Sequence, residues 1–221
     1  MLITKRAFNL EEEALLASGT QDPDKIDFYV AELERINRQF LRQIIPPPDP
    51  VQRAKALFTW LWTSKPNRYK SRASYKFDKV IEAQSTEGDH SVGNCLGLTV
   101  LYNSLLRKMD IEAEALYIDN AFETGPHVLT VLKIEKSFID VENILPDGFD
   151  YGGHRTHPER IVWGTRELVA DIYHSVANEL FEKADFVGAL KNYDAAIAFN
   201  PRYEKARLNR EILLDRMGKG R

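Results

Sequence analysis

Gly93-Asn94-Cys95-Leu96-Gly97-Leu98-Thr99-Val100-Leu101-Tyr102-Asn103-Ser104-Leu105-Leu106-Arg107-Lys108-Met109 is the stretch whose reading decides the fold. It is apolar on nearly every side at its start, the pattern of a helix buried in the centre of a domain. Gly93-Asn94 puts Cys95 in the first turn of that helix. Backbone N–H groups there lack intrahelical partners; they favour an ionised thiol and can hold an oxyanion. Cys95 is the single cysteine of the chain. It reads either as a nucleophile or, more blandly, as a small apolar core residue. Gly97 is expected to leave room for a substrate to approach the helix.

Downstream, three runs read as strands, over 112–118, 127–134 and 138–141. The polar turn Glu135-Lys136-Ser137 joins the last two as a hairpin. His127 opens the second run after the bend at Gly125-Pro126, so a strand would fix its ring. A histidine so placed can take a thiol proton and later protonate a leaving group. Equally, it can be a hydrogen-bonded structural residue. Asp140 lies between Ile139 and Val141, where a buried carboxylate without a partner is costly. It can orient His127 as the acid of a nucleophile–base–acid triad, or it can face solvent. The His-to-Asp spacing is 140 − 127 = 13. If the turn centres on Lys136, His127 lies opposite a residue beyond Asp140. Glu142, of the same strand parity, would then stand nearer and is the alternative acid.

Upstream, Asp22-Pro23 reads as an N-cap and first helical residue. Ile26, Val30, Leu33, Ile36, Phe40 and Ile44 follow at helical spacing. Pro46-Pro47-Pro48-Asp49-Pro50 ends that helix and starts another, striped by Ala54, Leu57, Phe58, Leu61 and Trp62. Residues 65–93 read mostly as loop, with one short helical piece around Phe77, Val80 and Ile81. Lys65, Arg68, Lys70, Arg72 and Lys76 in it read as a solvated run. Asp147-Gly148 and Gly152-Gly153 mark further loops. The stretch 170–221 is nearly all helix former. Ala189, Tyr193, Ala196 and Pro201 agree jointly with paired helices in close approach. His154 and His157, with His90, match no strong metal-ligand spacing, and no metal is expected.

The chain has 221 residues, room for one large domain or a medium one with an appendage. Apolar residues at 43% and charged residues at 29% are ordinary for a globular protein. A net charge of −3 and a pI near 6.0 give no footprint for nucleic acid. No apolar run approaches a membrane span. Met1-Leu-Ile-Thr-Lys-Arg lacks the apolar core of a signal peptide. One cysteine makes no internal disulfide, which suits a reducing, cytoplasmic setting.

Together, the cysteine-led helix from Gly93 to Tyr117 with the His127 and Asp140 strands resembles the transglutaminase-like superfamily. The resemblance covers about residues 22–150. Residues from 170 onward resemble one tetratricopeptide repeat plus an extra helix, and the combination looks like the SirB-type branch. The resemblance implies an α+β fold: a papain-like core with an antiparallel sheet over 1–165, N-terminal helices, and a helical segment over 166–221. It matches Cys95 to the nucleophile, His127 to the base and Asp140 to the orienting acid. It implies hydrolysis or acyl transfer at an amide bond of a protein or peptide, with no cofactor. Some relatives lack the triad, so a non-catalytic protein-binding module is the competing expectation. An incomplete repeat with an apolar face could also support a homodimer through the C-terminal helices.

Overall fold

The computed structural model describes residues 8–134 and 137–218. Met1 to Arg6 and the Glu135-Lys136 part of the expected turn lie outside the described residues. The elements run α1 (Leu10–Ala17), α2 (Pro23–Gln43), α3 (Pro50–Ser64), α4 (Phe77–Ser85), α5 (Cys95–Arg107), β1 (Ala113–Ala121), β2 (Gly125–Ile134), β3 (Ser137–Val141), β4 (Arg160–Trp163), α6 (Thr165–Glu182), α7 (Phe186–Phe199) and α8 (Glu204–Gly218). This is an α+β protein with one four-stranded antiparallel sheet, in the order β3-β2-β1-β4.

The helix starts follow from local chemistry. Asp22 accepts from Asp24 N–H at 3.1 Å, and Pro23 fills the first helical position. Asp49 accepts from Gln52 N–H at 2.8 Å ahead of Pro50. Each cap satisfies a donor that the helix itself cannot.

The strand alternation sorts the sheet into two faces. Ala113, Ala115 and Tyr117 pair with Leu132, Thr130 and Val128 and join the main core. That core is filled by Leu33, Ile36 and Phe40 of α2, Leu57, Phe58 and Leu61 of α3, Phe77, Val80 and Ile81 of α4, and most of α5. Leu116, Ile118, Leu129 and Val131 form a smaller cluster on the other face.

Two elements have no counterpart in the sequence reading, α1 and β4. α1 packs on α2, α4, α5 and α6, with Leu10, Ala14 and Leu15 fully buried. The first half of α6 (Leu168, Val169, Ile172) lies in the main core. Ala177, farther along α6, forms a separate cluster with Ala189 and Tyr193 of α7 and Leu213 of α8. None of the helices among the described residues is long and apolar enough to cross a membrane.

Candidate active site

Cys95 is the first residue of α5. Asn94 caps the helix: its side chain accepts from Gly97 N–H at 3.1 Å, and its carbonyl accepts from Leu98 N–H at 2.9 Å. The capping segment is itself tied down. Lys70 N–H donates to Gly93 O, and Asn94 N–H donates to Ser74 O. The space at Gly97 belongs to the protein and not to a substrate. A Cβ there would stand 2.7 Å from Val80 Cγ2 and 2.8 Å from Ser74 O. Gly97 is needed so that α4 and the 74–75 loop can close on the cysteine helix.

His127 is buried near the start of β2, close enough to Cys95 for the thiol to bear on the protonation of its ring. Its Nε2 lies 2.8 Å and 3.0 Å from the two carboxylate oxygens of Glu142. Glu142 is completely buried. Its N–H donates to Gly148 O at 2.8 Å, so the chain after β3 turns back on itself there. The approach is so close that a Cβ on Gly148 would overlap Glu142 O, which explains the glycine.

Asp140 is not at His127. The register pairs Asp140 with Val131, four residues beyond the histidine, and the strand ends at Val141. The Asp140 carboxylate takes two hydrogen bonds from Arg160, at 2.6 Å and 3.2 Å. The expected orienting role of Asp140 therefore gives way to a tie between the two edge strands. The acid on His127 is Glu142. The physical reason is the register: the acid must reach a residue near the start of β2, and only the segment past the end of β3 comes that far.

Burial alone would pull the His127 pKa down. Hydrogen bonding to Cys95 and Glu142 and the charges of both outweigh it and hold the imidazole above the ordinary histidine range. Burial would raise the Glu142 carboxyl, but the hydrogen bond and charge of His127, with His154 beside it, prevail and hold it below the usual carboxylate range. Both shifts favour a charged imidazolium–carboxylate pair.

His154 is a third member that the sequence reading set aside. It is buried, with Nε2 at 3.3 Å from Glu142 Oε2. Its ring rests edge-on against Phe122 at 4.7 Å and against Tyr151 at 5.1 Å. Phe122 (φ 52) and Glu123 (φ 56) adopt left-handed backbone, uncommon without glycine, in the turn that brings the Phe122 ring to both histidines. One ring nitrogen of His127, one of His154 and a Glu142 oxygen all lie within 4.8 Å of one another, close enough to share a metal ion. His90 and His157 are elsewhere: His90 Nε2 bonds Ala83 O, and His157 Nδ1 accepts from Glu159 N–H.

A buried polar chain fixes the helix to the strands beside this cluster. Asn143 Nδ2 donates to Thr99 Oγ1 at 3.1 Å and to Thr130 Oγ1 at 2.9 Å. Thr130 Oγ1 donates to Asn103 Oδ1 at 2.6 Å, and Asn103 Nδ2 donates to Glu114 O at 3.1 Å. The signal for it was legible: Thr99 and Asn103 are polar residues four apart on a helix that is mostly apolar. A buried donor left unmet costs about 1–3 kcal/mol, so such residues imply partners.

Compared with protein-family models, curated proteins and solved structures, the chain gives no significant match.

Proposed function

We propose that this protein is a cysteine-dependent enzyme acting on an amide or peptide bond, with a transglutaminase-like core. Cys95 is the nucleophile, His127 the base and Glu142 the acid that orients it. One observation carries the reading: the histidine near a helix-starting thiol has its Nε2 held at 2.8 Å by a buried carboxylate. With Nε2–H committed to Glu142, Nδ1 is the nitrogen that takes and keeps the thiol proton, leaving a thiolate beside the imidazolium. The thiolate attacks the acyl carbon, and the oxyanion that forms faces the Cys95 and Leu96 N–H groups at the head of α5. His127 then returns the proton to the leaving amine. Water or a second amine releases the acyl group from sulfur, which separates hydrolysis from acyl transfer. The free thiol suits a reducing compartment, and a cytoplasmic setting belongs to the same proposal.

The test is alkylation of Cys95 by iodoacetamide at neutral pH. We expect His127→Ala to slow it about 100-fold, within the range that a positioned base supplies. Equal rates in the wild type and in His127→Ala would overturn the reading.

A second reading, capture of a protein segment or a second copy by a tetratricopeptide-like surface, is favoured by the exposed Val187, Leu208 and Ile212 of the C-terminal helices. Lysate partners or dimers retained by Cys95→Ala and lost on deleting 170–221 would support it. Their retention without that segment would remove it.

A further inference from the structure

We propose that His127, Glu142 and His154 form a zinc site whose occupation silences the thiol. The donors are His127 Nε2, the Glu142 carboxylate and His154 Nε2, brought from β2, the turn after β3 and the following loop. Glu142 Oε2 stands 2.8 Å from His127 Nε2 and 3.3 Å from His154 Nε2, and all three residues are buried. Ligand atoms bound at about 2.0–2.2 Å around a tetrahedral Zn²⁺ stand about 3.3 Å apart, so small side-chain shifts suffice to admit the ion.

His154 is the independent sign. Its buried Nε2 makes no hydrogen bond, although the carboxylate is at hand. An imidazole nitrogen taken out of water without a partner is costly, and a metal ion supplies one. The residue is also held from outside, as a metal-binding histidine is held in place by its neighbours. Arg160 donates to the His154 carbonyl at 2.8 Å, and Phe122 and Tyr151 flank the ring. Two imidazoles with one carboxylate suit Zn²⁺, whereas Mg²⁺ and Ca²⁺ take oxygen donors.

The silencing half rests on the reading of His127 as the base of Cys95. A neutral imidazole has one lone pair. When Nε2 gives it to the metal, the proton stays on Nδ1, which can no longer accept one from the thiol. The same carboxylate also exchanges a histidine for the ion. Metal binding and thiol activation thus compete for one ring.

The test separates the halves. Cys95→Ser is titrated calorimetrically with Zn²⁺, with Mg²⁺ as the control. We expect one Zn²⁺ per chain, no Mg²⁺ binding, and affinity weakened at least about 100-fold in Cys95→Ser carrying His154→Asn. Absence of Zn²⁺ uptake by Cys95→Ser, or uptake unchanged by His154→Asn, overturns the site. If the double variant does not fold, Co²⁺ bound to the wild type decides: tetrahedral d–d bands without a thiolate charge-transfer band support the site, and a charge-transfer band overturns it. In wild type, Zn²⁺ should suppress iodoacetamide labelling and a chelator should restore it. Binding to Cys95→Ser with unchanged labelling of wild type overturns the silencing alone. Labelling that is independent of His127 in zinc-free protein would instead sink the thiol reading and leave the metal site standing.

Discussion

Asp140 and Glu142 are two buried acids two residues apart, yet they have partners of different kinds. Asp140 takes a forked pair of hydrogen bonds from Arg160. Glu142 faces two imidazoles, His127 and His154. A guanidinium keeps its charge at any working pH and fits a carboxylate in one planar geometry, so this pair acts as a fastener. It joins the two edge strands of the sheet, β3 and β4, over the face that carries Ile118, Leu129 and Val131. An imidazole exchanges protons and accepts metals, so a carboxylate on imidazoles can take part in chemistry. What an acid does here is decided by which cation the fold delivers to it.

The contrast breaks most directly on thiol reactivity. Glu142→Gln should slow reaction at Cys95 by about 10²–10⁴-fold, because it leaves His127 without its orienting charge. Asp140→Asn should change the rate far less, since its carboxylate touches Arg160 and not the ring. The measurement is the second-order rate constant of alkylation for the two variants and wild type, with folding checked by circular dichroism. Equal losses in both variants would mean that the two acids share one role.

Stability tests the fastener half of the comparison. Arg160→Met strands the Asp140 carboxylate, which is 2% exposed, and an unpaired buried charge costs about 3–5 kcal/mol. Arg160 itself is 23% exposed, and water there softens the loss to about 2–3 kcal/mol. Adding Asp140→Asn to Arg160→Met should recover most of it, because the stranded charge is then gone. Denaturant melts of the single and double variants check this. A double variant as unstable as Arg160→Met would assign the loss to packing of the arginine stem.

The site was legible up to the register. The apolar helix pattern and Gly93-Asn94 placed Cys95 at a helix start, and the β-branched run after His127 placed that histidine on a strand. The acid was harder. Asp140 and Glu142 share strand parity, so alternation cannot choose between them. The choice depends on where β3 ends and how tightly Gly148 lets the chain turn back. His154 was out of reach for a similar reason. It lies in a glycine-rich loop with no periodicity; Tyr151 and Arg160 hold it from nearby in the chain, and Phe122 meets it from far away in the sequence. α1 has a capped start at Asn9, but Glu11, Glu12 and Glu13 mask its short apolar stripe. β4 has only four residues, of which Ile161 and Val162 are exposed, so no alternation marks it. Gly97 was identified as a place needing space, and the claimant proved to be Ser74 and Val80 of the same chain.

A third carboxylate, Glu179 of α6, sets the small end of the comparison. It accepts from Tyr75 Oη at 2.6 Å and from Lys76 Nζ at 2.8 Å. Tyr75 belongs to the loop that presses on Gly97, so this pair fastens the C-terminal helices to the backing of the cysteine helix. Burial would raise the Glu179 carboxyl, but Lys76 and Tyr75 prevail and hold it below its ordinary 4.5. A depressed carboxyl contributes stability that is complete above the unfolded value and is lost as pH falls through the folded one. Glu179→Gln should therefore destabilise the protein at pH 7, and the difference from wild type should shrink between pH 4.5 and the lower folded value. The side chain is 34% exposed, so water screens the pair and the effect should be the smallest of the three. Melts of both proteins from pH 7 down to about 3 test it. A difference that stays constant over that range would show that shape, and not charge, makes this fastening.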